Sequence, residues 1–520
     1  MKKDEIKSLL TGGIVCTIVL LSSLYVLFKT GASVVIDTVL LSILVLTFMK
    51  GFKVKNVLTA DIFARASISC VTTIASYFAV LFIFHQVPDM SQTVLFVLVI
   101  LVSGCLGVLF FSTLDIIIKD DEKYAFPMLK PRVEMLKSKD NDEKQNRLLI
   151  KSISLSSIYA LLVRICPFLP KTLKLNNMFM FDNSLVLVAS GYFIGHQTYL
   201  KMIIGFAYSF IIYLLFRVDD FSTHILNPMI YSVILGFSII QGVITVTTML
   251  KKMKSNQTDE MDTLFKNKKS LLYVFALLVF YLLILKLGNV QVPFWILFII
   301  IPLSIMLSMS TLIGIAETGF WLSALEDILP IFIILLTQTT QLFPIILIVG
   351  GLTAFEFCGI YFVLNLKVAN VFDYAEWKVK LVSFVSLLFS SVLMIALMLL
   401  VFQHIGFGTS DLPAPTSKVF GMTLNGLIDS LSTLQIPSYI NIYVLLISCL
   451  VGYILHKRKF SPMIIVAGMM LPFGTFFVMG IGAILSYLFK EKPENNTIIF
   501  SGISVGDGII STLITMFQSF

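Results

Sequence analysis

SPMIIVAGMMLPFGTFFVMGIGAILSYLF, residues 461–489, is the stretch that decides the fold. It is almost wholly apolar, yet it contains Pro462, Pro472 and several glycines, Gly468, Gly474, Gly480 and Gly482. A helix in water would not tolerate so many breakers, whereas in a bilayer neighbouring helices and polar side chains satisfy the backbone groups that a break frees. The stretch therefore predicts a broken membrane helix that lines a cavity.

This stretch has a counterpart earlier in the chain, GYFIGHQTYLKMIIGFAYS at residues 191–209. The alignment that places residues 191–209 over 468–486 is called the glycine register below. Without any gap, it matches Gly191 with Gly468, Thr198 with Thr475, Met202 with Met479, Gly205 with Gly482 and Ser209 with Ser486. The matches predict two duplicated halves. We expect a first transmembrane repeat at residues 1–250, a basic cytoplasmic linker at 251–269 and a second transmembrane repeat at 270–520.

Two looser pairings fit the same plan, each in a different register. One places Asp61 over Glu317, so that an acid recurs in each half. The other places Pro127 over Pro413, which pairs two semi-polar segments that begin with proline. Both pairings are expectations that a structure can test.

The composition defines the class of protein. The chain has 520 residues, of which 57% are hydrophobic and only 13% charged, and its mean hydropathy is +0.95. A globular chain of average usage has about 25% charged residues. Because the deficit extends along the whole chain, the sequence predicts an all-α polytopic membrane protein. At roughly 20 residues per span, the apolar runs predict about 14–16 membrane segments in two duplicated halves with broken or re-entrant helices.

The formal net charge of +8 does not indicate a nucleic-acid partner. Lysines and arginines cluster in short segments between apolar runs, as in Lys457–Lys459, which is how cytoplasmic loops look under the positive-inside rule. We therefore expect a multi-pass protein of the cytoplasmic membrane. The six cysteines lie in or beside apolar runs without metal-ligand spacing, and they are expected to be free core residues.

No enzyme motif is present. The chain lacks HExxH, GxSxG and Walker A sequences, so we expect no enzyme activity, no metal site and no cofactor. The acidic pairs Asp120-Asp121 and Asp219-Asp220 leave open a membrane enzyme that holds a metal, although no soluble domain accompanies them; solvated loop charge is the alternative.

Ionisable residues within apolar runs are costly and usually functional. Glu317, in STLIGIAETG, is a candidate proton-coupling acid or an interfacial helix cap, and Asp507, between Gly506 and Gly508, combines an acid with a helix break. Asp61 and Arg65 are four residues apart, on one helix face, and are expected to pair. Glu356 could be a functional acid or a structural residue.

A polar run inside an otherwise apolar segment, residues 337–341, is too polar to face lipid. We expect it to line a pathway, although it could instead join helices by hydrogen bonds. His196, beside Gly195, could titrate near neutral pH or simply lie at a helix interface. The full set of predicted pathway residues is Gly191, His196, Thr198, Thr337, Gln338, Thr340, Gln341, Gly468, Pro472, Thr475 and Gly506.

These segments resemble the oligopeptide transporter (OPT) superfamily, and the chain looks like a divergent bacterial member related to the yellow-stripe-like carriers. The resemblance is carried by DLPAPTSKVFGMTLNG (411–426), by residues 461–485, by SGISVGDGIIS (501–511), where Asp507 stands for the usual glutamate, and by IGIAETGFWLSALEDIL (313–329). The Pro-Ser-Gly of the family's first half reads Pro127-Met128-Leu129 here.

The resemblance implies proton-coupled uptake of oligopeptides or metal–chelate complexes, with two related halves around a central substrate site. The expected partners are a small peptide or metal-chelate substrate and membrane lipid, with a homo-oligomer left open. Two rival functions stay open at this point: an exporter or flippase of a lipid-linked or hydrophobic compound, and a membrane-embedded enzyme. A non-transporting scaffold is disfavoured by the polar, glycine-rich interior positions.

Overall fold

The fold was analysed in a computed structural model. It describes residues 3–30, 42, 45–46, 48–49, 51–66, 68–113, 126–137, 143–165, 172–174, 179–218, 221–254, 268–287, 293–318, 330, 333–334, 341–404, 406–407, 414–432, 439–458, 460–489, 495–504, 506–507 and 510.

Helices dominate the first half of the chain. In order they are α1 (Lys3–Thr30), α2 (Val54–Arg65), α3 (Ile68–Ile83), α4 (Met90–Ser112), a 3₁₀ turn (Pro127–Leu129) that leads into α5 (Lys130–Lys137), α6 (Glu143–Ile165), α7 (Leu185–Ile194), α8 (His196–Phe216), α9 (Phe221–Ile225) and α10 (Pro228–Lys254). Two three-residue strands, β1 (Thr172–Lys174) and β2 (Met180–Asp182), pair antiparallel between α6 and α7.

The second half continues in the same way. It comprises α11 (Lys268–Leu287), a 3₁₀ turn (Phe294–Ile296) that leads into α12 (Leu297–Thr318), α13 (Leu342–Val371), α14 (Glu376–His404), α15 (Pro415–Ser432), α16 (Ile442–Lys457), α17 (Pro462–Met469) and α18 (Phe473–Leu488). Residues 495–504 and 506–507 are helical and are called the C-terminal helical segment below.

The helices have the length and apolarity of membrane spans. Within the described residues, six are long and apolar enough to cross a bilayer, and five shorter apolar helices accompany them. The all-α polytopic class expected from the sequence is confirmed. The total number of membrane segments stays a prediction, because the stretches between the described residues are not counted.

The large hydrophobic core surrounds α13, whose membrane-spanning window is completely buried. Small residues let neighbouring helices approach it closely: a Cβ on Gly107 of α4 would collide with the backbone carbonyl of Phe355, and one on Gly359 would collide with the ring of Phe111. Such close approach is how helices associate in lipid, where burying apolar surface gives little driving force. The free cysteines Cys16, Cys70 and Cys358 are buried in this core, as expected.

The helix boundaries of the two halves match in a second alignment, which places Thr30 over Thr318 and is called the helix-end register below. Helices α1 and α12 end at these two threonines, while α13 covers 342–371 and the combined span of α2 and α3 covers 54–83. Backbone hydrogen bonds repeat in the same register. Phe126 N donates to Ala316 O at 3.0 Å, and Ala414 N donates to Phe28 O at 2.7 Å.

The helix-end register differs from both looser pairings made from the sequence. Phe126 and Ala414 share a left-handed backbone conformation, with φ of 39° and 43°, and each precedes a proline. Non-glycine residues adopt positive φ infrequently, so the coincidence supports the helix-end register. Pro127 therefore lies over Pro415 rather than Pro413. Asp61 lies over Val349 rather than Glu317, because the equivalent of Ala316 is Phe28.

Candidate functional site

Two helices are broken at equivalent places. Helix α7 ends at Ile194 and α8 begins at His196, with Gly195 between them at φ 81°, while α17 ends at Met469 and α18 begins at Phe473 after Pro472. The paired helices begin at equivalent positions of the glycine register, α7 and α17 at Leu185 and Pro462, and α8 and α18 at His196 and Phe473. The broken helices predicted from the sequence are present in both stretches.

The two broken helices pack against each other through four glycines. A Cβ on Gly191 would collide with the carbonyl oxygen of Met479, and one on Gly468 would collide with that of Met202. In the same way, Gly205 lies against the carbonyl of Ile465 and Gly482 against that of Val188. Replacing both partners of one contact by their equivalents in the glycine register gives another of the four contacts: Gly191 with Met479 becomes Gly468 with Met202. The glycines are therefore needed for backbone-to-backbone approach, and the four contacts define what we call the glycine crossing.

Aromatic rings complete the glycine crossing. Tyr199 and Phe476, again equivalent in the glycine register, stack with ring centroids 4.7 Å apart, and Tyr199 Oη donates a hydrogen bond of 2.9 Å to Phe476 O. Phe206 also stacks on Phe476, at 4.3 Å. These rings fill the space beside the close helix approach.

The predicted pathway residues near the broken helices lie either in the glycine crossing or at the beginnings of α8 and α18. Gly191 and Gly468 form the glycine crossing, Pro472 lies at the break before α18, and Thr198 and Thr475 are half-buried in the first turns of α8 and α18. His196 N donates to Ser486 Oγ at 3.0 Å, and its ring lies edge-on to Tyr487 at 5.2 Å, so the histidine belongs to the interface of α8 and α18.

The polar run of residues 337–341 lies mostly beyond what the structure describes. Thr337, Gln338 and Thr340 fall outside the described residues. Gln341 is exposed and occupies the N-cap position of α13. The structure therefore leaves the role of this run as a prediction.

Asp507 is fully buried and binds three groups. Its Oδ1 accepts from Arg164 Nη1 at 3.1 Å, and its Oδ2 accepts from Ser184 Oγ at 2.7 Å and from Val186 N at 2.9 Å. Ser184 is the N-cap residue of α7. Asp507 thus places a carboxylate at the N-terminus of the first broken helix, where the helix dipole favours negative charge.

Small residues hold the C-terminal helical segment against α6. A Cβ on Gly502 would collide with Ser152 Oγ, and one on Gly506 would collide with Ser156 Oγ. Ser156 Oγ also donates to Gly502 O at 3.2 Å. Gly506 therefore serves as a packing residue in this structure, and its fit against α6 fixes the position of the adjacent Asp507.

Glu317 lies elsewhere, near the C-terminal end of α12. It follows Ala316, whose carbonyl accepts the hydrogen bond from Phe126, and its side chain is half-buried. The two predicted proton-coupling acids therefore belong to different environments: Asp507 contacts α6 and α7, whereas Glu317 neighbours the segment that leads into α5.

A buried charged cluster forms between α2 and α5. Asp61 Oδ1 accepts from Ser42 Oγ at 2.7 Å and Arg65 Nε at 3.2 Å, while Oδ2 accepts from Arg132 Nε at 2.8 Å. Asp61, Arg65 and Arg132 are each no more than 3% exposed. The predicted pairing of Asp61 with Arg65 is confirmed, and Arg132 is a partner that the sequence analysis missed.

His224 of α9 is a second residue that sequence reasoning missed. Its side chain is fully buried, Nε2 lies 3.0 Å from Ser209 Oγ, and Nδ1 has no hydrogen-bond partner among the described residues. The rings of Phe473, Tyr213 and Phe221 surround it. His224 lies between two apolar helices and outside both, and desolvation by its buried surroundings lowers its pKa.

A single signal could have found two of the missed residues. Arg164 in LLVRI and Asn365 in VLNLK are strongly polar residues within apolar runs, which the cost of burying polar groups in a membrane makes conspicuous. Arg132 carried no such signal, because it lies in a polar segment. Its burial depends on tertiary packing against Asp61.

Broken helices that pack against each other within a polytopic α-helical membrane protein are common in secondary transporters. A family model described as OPT oligopeptide transporter protein matches residues 6–215 and 220–518. The chain therefore belongs to the OPT oligopeptide transporter family, whose members are transporters and not enzymes. Among curated proteins no match is found. The relation to yellow-stripe-like carriers and the bacterial origin stay predictions.

Proposed function

We propose that this protein is a proton-coupled secondary transporter that moves oligopeptides, or peptide-like and metal-chelate solutes, across the cytoplasmic membrane. The observation that carries the proposal is the position of Asp507, a buried carboxylate at the N-terminus of a broken helix. Family membership supports transport of oligopeptides. The coupling to protons, the type of solute and the membrane are the parts proposed here.

Two duplicated halves would provide the framework. The matched helix boundaries, the repeated hydrogen bonds of Phe126 and Ala414, and the reciprocal contacts of the glycine crossing all support a duplication.

The substrate would bind beside the glycine crossing. Breaks at Gly195 and Pro472 expose backbone groups that a continuous helix would satisfy, and half-helix ends of this kind bind polar and charged groups of substrates in secondary transporters. The proposed lining comprises the predicted pathway residues, Gly191, His196, Thr198, Thr337, Gln338, Thr340, Gln341, Gly468, Pro472, Thr475 and Gly506.

Asp507 would couple proton movement to a conformational change. Its ionised carboxylate binds Arg164, Ser184 and the N-terminus of α7 at once. Protonation removes the charge and weakens these hydrogen bonds, each of which contributes about 1.5–3 kcal/mol when one partner is charged. Neutralisation would therefore loosen α7 from α6 and the C-terminal helical segment. Glu317 is proposed as a second proton-coupling acid.

The test is uptake into proteoliposomes with and without an inward proton gradient, comparing the parent with Asp507→Asn. Asparagine keeps an oxygen that can accept from Ser184 and Val186 but cannot carry the proton. We expect the variant, which lacks the charge that pairs with Arg164, to fold with a lowered thermal midpoint and to lose gradient-driven accumulation. Undiminished accumulation by Asp507→Asn would remove Asp507 from the mechanism. Absence of gradient-dependent uptake by the folded parent would overturn proton coupling.

A further inference from the structure

Arg132 presents an unused hydrogen-bond donor inside the protein. Its Nη2 lies 2.7 Å from Asp61 Oδ2 but makes no hydrogen bond of acceptable geometry with any described residue. Each terminal guanidinium nitrogen carries two N–H groups, so one remains available even if the other points at Asp61. Asp61, Arg65 and Arg132 together carry a net positive charge, since one carboxylate lies between two guanidinium groups.

Asn365 of α13 is an unsatisfied buried amide. Its side chain is fully buried, and neither Oδ1 nor Nδ2 has a hydrogen-bond partner in the described part of the chain. Leaving a buried polar group unsatisfied costs about 1–3 kcal/mol. An amide that is unsatisfied at both atoms therefore indicates a missing partner that can both accept and donate hydrogen bonds.

Two features of the chain indicate that Asn365 lies near Arg132. Tyr361 is close enough to Arg132 to interact with it electrostatically, and Asn365 follows one turn later on the same face of α13. The second observation is the helix-end register between the halves. In this register Tyr77 corresponds to Asn365, and Phe420 corresponds to Arg132. The rings of Tyr77 and Phe420 pack with centroids 4.7 Å apart, so Asn365 and Arg132 are expected to be neighbours as well.

The two equivalent positions thus differ in chemistry. One holds two aromatic rings, and the other holds a guanidinium group and an amide. A planar guanidinium group matches a carboxylate in shape and charge. The neighbouring amide could donate to the carboxylate from Nδ2 and accept the last peptide N–H at Oδ1. Both unsatisfied atoms of Asn365 would then have partners.

We propose that Arg132 and Asn365 bind the C-terminal carboxylate of the transported peptide. This inference rests on the proposed function, because it assumes that peptides are the solute. Asp61 positions the guanidinium group by binding its Nε and by lying 2.7 Å from its Nη2, and the second N–H of Nη2 is left for the substrate. The site would select peptides with a free C-terminus over their amides.

The test compares uptake of a labelled tripeptide with uptake of its C-terminal amide. The measured quantity is the ratio of their initial rates in proteoliposomes at concentrations far below saturation. We expect the parent to favour the free acid. Asn365→Leu should lower this preference about tenfold or more, since a hydrogen bond to a charged group is worth about 1.5–3 kcal/mol. Arg132→Lys keeps the charge beside Asp61 and should reduce the preference by about tenfold.

Asn365→Leu also separates a binding role from a structural one. Leucine removes two unsatisfied polar atoms and still fills the site with a side chain of similar length, so the thermal midpoint should stay level or rise. If Asn365 were a structural hydrogen-bonding residue, the midpoint would fall. Thr353→Val is the matched control, because Thr353 Oγ1 is likewise buried and unsatisfied on α13 among the described residues. It lies about 18 Å from Asn365 along the helix, and its loss should leave the preference unchanged.

The outcomes distinguish this inference from the proposed function. If the parent favours the free acid and both Asn365→Leu and Arg132→Lys retain its full preference, the carboxylate site is overturned while peptide transport stands. If the folded parent accumulates neither peptide, the proposed function fails and the site falls with it. A loss of preference in both variants but not in Thr353→Val is the result expected.

Discussion

At the scale of single residues, His224 has an environment that titration should disturb. It is buried among the rings of Phe473, Tyr213 and Phe221, and its only described hydrogen bond joins Nε2 to Ser209 Oγ. Desolvation lowers its pKa, so the imidazole is neutral in the folded protein at neutral pH. The unfolded chain, with an ordinary histidine pKa of about 6.5, takes up a proton at higher pH.

This difference predicts a loss of stability on acidification. Because the unfolded state binds the proton first, the free energy of unfolding should be fully retained above about pH 6.5 and fall as the pH drops below it. His224→Gln keeps a neutral hydrogen-bonding side chain and should flatten the dependence. The measurement is the thermal midpoint of detergent-solubilised protein across the range in which histidine titrates, roughly pH 5 to 8.

Exposed His85 provides the control for that pH series. It adopts a positive φ of 58° in a loop, which asparagine tolerates, so His85→Asn removes an exposed histidine from a folded protein and is measured over the same pH series. If the thermal midpoint of His224→Gln fell on acidification as steeply as that of the parent, the acid sensitivity would belong to another group.

At the scale of elements, the glycine crossing predicts that related substitutions have matched effects. Gly191→Ala and Gly468→Ala each add a methyl group against a backbone carbonyl, that of Met479 or of Met202. Overpacking of this kind costs about 1–3 kcal/mol. Since the two contacts are reciprocal, the two variants should lower the thermal midpoint by similar amounts.

Gly426→Ala is the control for the glycine substitutions. Gly426 lies within α15, and a Cβ there would meet no atom within 4 Å. Alanine should therefore stabilise the helix by up to about 1 kcal/mol. If Gly468→Ala were as well tolerated as Gly426→Ala while Gly191→Ala was not, the crossing would not be reciprocal.

The same elements show what the sequence could and could not reveal. The glycine register was visible because the crossing requires glycine at both copies, Gly191 with Gly468 and Gly205 with Gly482. The helix-end register was hidden because tertiary packing there accepts different side chains. Tyr77 is replaced by Asn365, while the helix ends, one backbone hydrogen bond and a positive φ before a proline persist among the described residues.

Pairs of charged residues were likewise predictable from the sequence only where both residues lie on one helix. Asp61 and Arg65 were paired from their spacing, since residues four apart on a helix are neighbours. Arg132 and Arg164 were not assigned as partners, because each meets its carboxylate through tertiary packing rather than along one helix. Local spacing predicts contacts within an element, whereas contacts between distant segments require the fold.

At the scale of the whole molecule, the described residues form two large hydrophobic clusters. One surrounds α13 and includes residues of α1–α4, α12, α14 and α15, and the other joins α8, α17 and α18 to one side of α10. Helix α10 meets α12 closely at Gly242, where a Cβ would lie 3.4 Å from Met306 Cβ. Residues of α10 belong to both clusters; if alternating access moves α10 together with the second cluster, this contact with α12 changes during transport.

A disulfide across that contact should therefore stop transport. Gly242→Cys with Met306→Cys brings two Cβ atoms close to the separation of about 3.5–4.5 Å that a disulfide requires, after a small shift that relieves the 2.9 Å approach of the new Cβ to Met306 O. We expect oxidation to abolish uptake and a reductant to restore it. Gly104→Cys is the matched control: its Cβ would lie 3.0 Å from the native Cys358 Sγ, and both belong to helices of the α13 cluster. A disulfide there joins helices that move together, so Gly104→Cys should transport at the same rate when it is oxidised as when it is reduced. Full uptake with the Gly242–Met306 bond formed would show that the two clusters stay fixed at this contact, and substrate would then have to pass by local opening at the broken helices.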